Sequence, residues 1–105
     1  MCRAAFDRFR SLAERASFSV PLSSSFESYA SDIFARLVEH GGADASDGEL
    51  LAIWDDALSK AERSAWLRGK NDRGFKASLS FICQAKSFKK LLNGDYGNGA
   101  HARVV

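Results

Sequence analysis

Residues 24–42, SSFESYASDIFARLVEHGG, form the clearest helical segment of the chain. Ser24 followed by Glu27 is a capping-box pattern that predicts a helix start. An apolar stripe then recurs at three- and four-residue spacing, formed by Phe26, Tyr29, Ala30, Ile33, Phe34, Leu37 and Val38. Two glycines, Gly41 and Gly42, follow, and glycine suits the left-handed position that ends a helix. We predict that this helix lies at the core.

Similar patterns predict helices on both sides of it. The segment 3–16 is amphipathic and ends before Pro21, which cannot continue a helix. Ser46 and Glu49 repeat the capping-box pattern, and the helix they begin ends near Ala61 or continues to Leu67. The apolar faces of these two helices are formed by Ala5, Phe6, Phe9, Leu12, Ala13 and Ala16, and by Leu50, Leu51, Trp54, Ala57, Leu58 and Ala61.

Residues 67–74, LRGKNDRG, consist largely of turn-forming residues. A short fourth helix carries Phe75, Leu79, Ile82 and Cys83, and a last helix, capped by Ser87, ends at Asn93-Gly94. The predicted fold is all-α, a small single-domain bundle of four to five helices over residues 1–96. A flexible C-terminal tail, 97–105, follows the bundle, with Tyr96 as its anchor.

Composition limits the possible classes of protein. A chain of 105 residues with 46% apolar and 27% charged residues is typical of one small globular domain. No apolar run reaches the ~20 residues of a membrane span, and charges in the first ten residues argue against a signal peptide. We expect a cytoplasmic protein without a membrane partner. Cys2 and Cys83 are either free thiols, as a reducing compartment favours, or one disulfide.

No catalytic pattern is present. His40 and His101 share no metal-site spacing with a cysteine or carboxylate, and the adjacent pair Asp55-Asp56 points in two directions on a helix. The sequence contains neither a GxSxG elbow nor a glycine-rich phosphate loop. We therefore predict that the protein is not an enzyme and that it uses no cofactor, metal or small-molecule ligand.

The charge is unevenly distributed. Residues 1–62 contain six basic and eleven acidic residues, a net charge of −5, whereas residues 63–90 contain eight basic residues and one acid, a net charge of +7. Basic residues on turns and helix ends can bind phosphates. The candidate residues for binding nucleic acid or a partner protein are Arg68, Lys70, Arg73, Lys76, Lys86, Lys89, Lys90 and Trp66.

Aromatic residues alternate with these charges and allow two interpretations. Trp66, Phe75, Phe81 and Phe88 are either part of the core, as the helical spacing of Phe75 and Phe88 indicates, or exposed platforms on which bases of a single strand stack. Phe81 lies off the apolar stripe of its helix. The sequence leaves the burial of Trp66 and Phe81 open.

Residues 66–96 resemble a C-terminal segment of phage and prophage replication proteins of the replisome-organiser and helix-turn-helix types. The shared positions are Leu67, Gly69, Asn71, Asp72, Arg73, Gly74, Lys76, Ala77, Ile82, Phe88, Lys90, Leu92, Gly94 and Tyr96. Phe75 and Phe81 stand where that family prefers tryptophan. The resemblance implies phage origin, a bacterial host cytoplasm and a nucleoprotein context in which the segment binds DNA or a replication partner.

The chain also departs from that family. Ser78 and Ser80 replace two acids of the family segment, which makes this copy more basic, and Gln84-Ala85 replaces Lys-Pro. The family usually carries an N-terminal winged-helix domain, for which we expect no room here. Two functions follow as hypotheses: a small accessory protein that binds DNA, or an inhibitor of host machinery, of the anti-CRISPR type, that binds a host nucleoprotein complex. The opposite charges of the two halves also suit a homodimer.

Overall fold

In the computed structural model, which describes residues 1–69 and 76–96, the apolar stripes form five α-helices. In chain order they are α1 (Cys2–Ala16), α2 (Phe26–Gly41), α3 (Asp47–Glu62), α4 (Leu79–Ile82) and α5 (Ala85–Asn93), with a 3-10 turn at Ser23–Ser25 before α2. The prediction of an all-α bundle of four to five helices is confirmed. In the described ranges no helix is long and apolar enough to cross a membrane.

Trp54 of α3 joins three helices at the centre of the bundle. Its side chain is fully buried, and its indole Nε1–H donates a 2.8 Å hydrogen bond to the carbonyl oxygen of Ala5 in α1. Its ring stacks on Phe88 of α5, with ring centroids 5.8 Å apart. Buried indole groups usually find such a polar partner, so this position selects tryptophan over a purely apolar residue.

Helices α1 and α3 lie side by side and run in the same direction. Arg8 Nη1 lies 2.5 Å from Asp55 Oδ2, and Arg15 Nε lies 2.9 Å from Glu62 Oε2. From the first ion pair to the second, the position increases by seven residues, or two turns, on both helices. The two helices therefore run parallel. A parallel pair requires a long connection, and α2 provides it.

The segment between α1 and α2 returns along α1. Ser17 ends α1 in the left-handed conformation (φ 63°), and Phe18 then stacks on Phe9 at 6.3 Å. Arg10 Nε donates to the carbonyl oxygen of Pro21 at 2.9 Å. The return brings Phe26, the first residue of α2, edge-on against Phe6 near the start of α1.

The capping box predicted at Ser24 and Glu27 is wrong. Ser24 lies in the 3-10 turn, and α2 begins two residues later, after Ser25, without a side-chain cap. The reason is local: the Ser25 hydroxyl donates 2.6 Å to the carbonyl oxygen of Leu22, closing the 3-10 turn. A serine hydroxyl engaged with a preceding carbonyl in this way stabilises a turn rather than an N-cap.

The prediction that α2 is the core helix is only partly correct. Ile33 and Leu37 are its two fully buried residues, whereas Phe34 is 51% exposed. Helix α2 packs against both α1 and α3, and its apolar stripe is wider than these two contacts, so the edge that carries Phe34 faces solvent. The largest buried side chain belongs to α3 instead.

Helix α3 has the predicted start, and α5 does not. The Ser46 hydroxyl accepts from Glu49 N at 3.1 Å, and Glu49 Oε1 accepts from Ser46 N at 2.9 Å. In α5, by contrast, Gln84 occupies the N-cap position, and Ser87 is a buried residue of the first turn. Ala85 and Lys86 favour helix and extend α5 beyond the predicted cap. Its predicted end is confirmed, with Gly94 left-handed at φ 80°.

Candidate nucleic-acid interface

Three of the predicted basic residues lie on one face of α5. Lys86, Lys89 and Lys90 are separated by three and four residues, the spacing of neighbours on a helix surface. The buried residues of α5 are Ser87, Phe88 and Leu91, which form the other face. Lys86 and Lys89 are exposed and Lys90 is half-buried. We call these three residues the lysine row; α5 has no acidic residue that would neutralise it.

Two further basic residues are adjacent in an antiparallel bridge. Arg68 faces Lys76 across the bridge, which is extended by a 2.9 Å hydrogen bond from Ala77 N to the carbonyl oxygen of Leu67. Both basic side chains are exposed. The predicted site residues Lys70 and Arg73, like Phe75 of the predicted fourth helix, lie outside the described residues.

Trp66, Phe81 and Tyr96 form an aromatic cluster. The Trp66 and Tyr96 rings are stacked, 5.9 Å apart and within 15° of parallel, and the Phe81 ring lies 5.7 Å from that of Tyr96. All three residues are half-buried. Trp66 and Phe81 are thus neither fully part of the core nor fully exposed, the two possibilities that the sequence left open. Tyr96 therefore anchors the end of the described chain, as predicted. The cluster holds the turn before Arg68 against the segment that follows α5.

The basic residues of the N-terminal half are neutralised by acids. Five of them lie 2.5–3.4 Å from a carboxylate oxygen: Arg3, Arg8, Arg15, Arg36 and Lys60. Within residues 1–69 and 76–96, no comparable ion pair involves the site residues Arg68, Lys76, Lys86, Lys89 or Lys90. The two parts of the sequence thus differ in net charge and also in how far acidic neighbours neutralise their basic side chains.

Glu62 is the last residue of the acidic N-terminal half and lies near basic residues of both halves. The hydrogen bond from Arg15 lowers the pKa of the Glu62 carboxyl, and the nearby charges of Arg15 and Arg68 lower it further. Among the described residues, Glu62 thus lies near Arg68, although not within ion-pair distance. The Glu62 charge is already shared with Arg15, so it neutralises Arg68 only in part.

A cavity of about 220 Å³ lies beside the aromatic cluster. It is lined by Lys60 and Arg63 from the end of α3 and by Leu91, Gly94 and Tyr96 from the end of α5. Lys60 and Arg63 were not predicted as site residues, although Arg63 belongs to the basic segment of the sequence. Their position depends on the docking of α5 on α3, which the spacing of residues within either helix does not encode.

Lys60 connects the two helices at this cavity. Its Nζ donates to Asp56 Oδ2 at 2.9 Å and to the carbonyl oxygen of Leu92 at 2.7 Å. The last carbonyl groups of a helix have no partner within the helix, and a lysine there also complements the helix dipole. Lys60 therefore fixes the end of α5 against α3 and sets the shape of the cavity.

A wider groove of about 380 Å³ lies between α1 and α3. Its walls carry the two ion pairs between these helices, Arg8 with Asp55 and Arg15 with Glu62, and Leu12 and Leu58 lie at its base. Its lining contains two basic and three acidic residues, so the groove does not attract an anionic ligand. It contrasts with the lysine row, where charges of one sign are collected.

In the part of the chain that the structure describes, no three histidine, cysteine or acidic side chains come together as a metal site would require. The ring of His40 packs against that of Phe88, at 5.5 Å, and His40 Nε2 lies 3.9 Å from Glu39 Oε1. His101 lies outside the described ranges.

Cys2 and Cys83 are free thiols in different surroundings. Burial raises the pKa of the Cys83 thiol to about 12, with a further rise from the charge of Asp32 and an opposing effect from Arg36. Burial also raises the pKa of the half-buried Cys2, to a degree reduced by the charge of the N-terminus. Because the thiolate is the reactive form, the two thiols should be distinguishable chemically.

We expect one fast and one slow thiol in the native protein at pH 8. With its pKa raised to about 12, the Cys83 thiol is almost entirely protonated at that pH, so a chromogenic disulfide reagent should modify Cys2 first. Cys2→Ser should remove the fast phase, and unfolding in urea should expose the second thiol. Rapid reaction of folded Cys2→Ser protein would contradict the buried position of Cys83.

Comparison of this chain with protein-family models, with curated proteins and with solved structures finds no match.

Proposed function

We propose that this protein is a non-catalytic accessory protein that binds DNA, without sequence preference, through the lysine row and the pair Arg68 and Lys76. The observation that carries the proposal is the difference in neutralisation: five of the six N-terminal basic residues are ion-paired, whereas among residues 1–69 and 76–96 these five have no acidic partner within ion-pair distance. Unpaired basic side chains on an exposed surface release counterions from phosphates when they bind.

The resemblance of residues 66–96 to phage replication proteins supports the same proposal and suggests a replication context in a bacterial host. Ser78, which replaces a family acid, caps α4 by accepting from Phe81 N at 3.2 Å. Since aspartate and serine are comparable N-caps, the replacement preserves the helix start while it removes a negative charge from the basic region. The change is compatible with the fold and favours an anionic partner.

Salt dependence tests the proposal. If all five cations contact phosphates of a single strand, a fourfold increase in salt should lower the affinity roughly 100-fold. Fluorescence anisotropy with labelled single- and double-stranded oligonucleotides at 50 and 200 mM salt measures this directly. Absence of binding at the lower salt, or an affinity that does not change with salt, would refute the proposed function.

A second function is favoured by a separate observation. Leu22 is 73% exposed, Phe34 51% and Val20 43%, and all three belong to the acidic N-terminal half. They suit an inhibitor that binds a host nuclease or replication protein directly. A stoichiometric complex that survives nuclease treatment and is lost in Leu22→Ser/Phe34→Ser, but kept when the lysine row is neutralised, would favour this function.

A further inference from the structure

The cavity between α3 and α5 combines three features that suit a nucleotide. One wall is formed by Tyr96, whose ring is already part of a near-parallel aromatic stack with Trp66. A second wall is the apolar Leu91, and the remaining lining includes the basic residues Lys60 and Arg63. An aromatic and apolar wall beside fixed positive charges is the combination that single-strand binding proteins use.

The size of the cavity limits the occupant. Pockets for drug-sized ligands occupy roughly 300–1,000 Å³, and this one has a volume of about 220 Å³. It therefore fits one aromatic base rather than a larger cofactor. Gly94, which lines the cavity, adds no side chain to it, and a Cβ atom there would meet nothing within 4 Å.

Arg63 has hydrogen-bonding capacity for a phosphate. The side chain is exposed, and its Nη1 donates one 3.2 Å hydrogen bond, to Ser59 Oγ. A guanidinium group has five N–H donors, so the remaining donors can bind the phosphate attached to a base held in the cavity. Lys60 contributes a second positive charge, although Asp56 partly neutralises it.

The cavity lies next to the end of the lysine row. Gly94 N and Asp95 N both donate to the carbonyl oxygen of Lys90, so the turn that forms the cavity directly follows the last lysine of the row. A backbone that follows the lysines of α5 would reach Arg63 and Tyr96 next. Bases of a duplex are stacked within the helix and cannot enter such a cavity unless they are flipped out.

We infer that this cavity holds one base of a single-stranded nucleic acid against Tyr96, with Arg63 on the adjoining phosphate, and so gives the basic face a preference for single strands. The inference rests on the proposed function. It adds Arg63 and Tyr96 to the binding residues and names the unpaired base as the group that is recognised.

The test compares a thymidine oligonucleotide with an abasic strand of equal length, which presents the same phosphates without bases. Stacking of one base on an aromatic side chain corresponds to a roughly 5- to 150-fold gain in affinity. We expect the wild-type protein to prefer the thymidine strand by a factor in this range. Tyr96→Leu should abolish the preference while salt-dependent binding of the abasic strand persists.

Arg63→Gln provides a second variant on an exposed side chain, in case Tyr96→Leu does not fold. It should weaken binding of the thymidine strand about fivefold at 0.1 M salt, the effect of one lost phosphate contact. The abasic strand should lose less, because no base in the cavity holds its phosphate at Arg63. Arg3→Gln, which changes the charge of α1 by the same amount, is the matched control and should alter neither affinity.

The outcomes separate the two claims. Equal wild-type affinity for thymidine and abasic strands, with salt dependence retained, would overturn the cavity as a base site and leave the proposed function intact. Equal losses on both strands in Arg63→Gln would also overturn it, because a general charge effect would then explain the result. Absence of salt-dependent binding to any strand would refute the proposed function itself.

Discussion

Trp54→Ala should lower the free energy of unfolding by about 3–5 kcal/mol, as truncation of a large buried aromatic residue does. The substitution leaves a cavity where α1, α3 and α5 meet, removes the stacking on Phe88 and deletes the hydrogen bond to Ala5. Since small domains have a total stability of about 5–15 kcal/mol, the substitution would remove a large part of that stability. Urea unfolding followed by circular dichroism at 222 nm measures the change.

Two further variants test whether the loss of stability comes from the hydrogen bond and ring contact of Trp54. Trp54→Phe keeps an aromatic ring and removes the N–H donor, so it should cost clearly less than the alanine substitution. In a double-mutant cycle, Trp54→Ala and Phe88→Ala should be non-additive because the two rings are in contact. A loss below about 1 kcal/mol for Trp54→Ala would contradict the central position of this residue.

Lys86→Gln/Lys89→Gln/Lys90→Gln should reduce the affinity for single-stranded DNA roughly 100-fold at 0.1 M salt, if each lysine contacts one phosphate. The slope of the logarithm of affinity against that of salt concentration should fall by about 2, for the same reason. Glutamine keeps helix propensity, and the replaced side chains lie on the solvent-facing side of α5, so the fold should be retained. Anisotropy titrations at several salt concentrations measure both quantities.

Net charge alone must be controlled for in this experiment. Ser28→Glu/Ser31→Glu/Ala52→Glu also lowers the net charge by three units, at exposed positions of α2 and α3. It should change the affinity much less than the lysine variant does. Similar losses in the two triple variants would show that overall charge, and not the lysine row, determines binding.

Local patterns of the sequence predicted most of the helices. The capping box of Ser46 and Glu49 involves atoms three residues apart, and the left-handed Gly94 needs only its own backbone freedom. The errors at Ser24 and Ser87 are local too: at each position a neighbouring residue, Ser25 or Gln84, took the N-cap position instead. At the start of α2, the adjacent serines Ser24 and Ser25 leave such a choice to small differences in energy.

The site could be predicted in composition but not in arrangement. The lysine row follows from helical spacing once α5 exists, and the basic charge of the segment is visible in the sequence. The half-burial of Trp66 and Phe81 depends on Tyr96, which lies 30 residues from Trp66 along the chain. The cavity with Lys60 and Arg63 likewise requires α5 to dock on α3, a tertiary contact that no spacing within one helix specifies.

The parallel arrangement of α1 and α3 has a consequence for how the chain acquires its structure. Arg8 with Asp55 and Arg15 with Glu62 are each separated by 47 residues, and no nearer segment replaces α3 against that side of α1. Closing so long a loop carries an entropic cost before the contacts form, and contacts of long range slow folding. On the ribosome, α2 can already cover Phe6, but the side of α1 that faces α3 stays uncovered until residue 62 has left the exit tunnel. The first helix to be synthesised thus completes its packing only after the third.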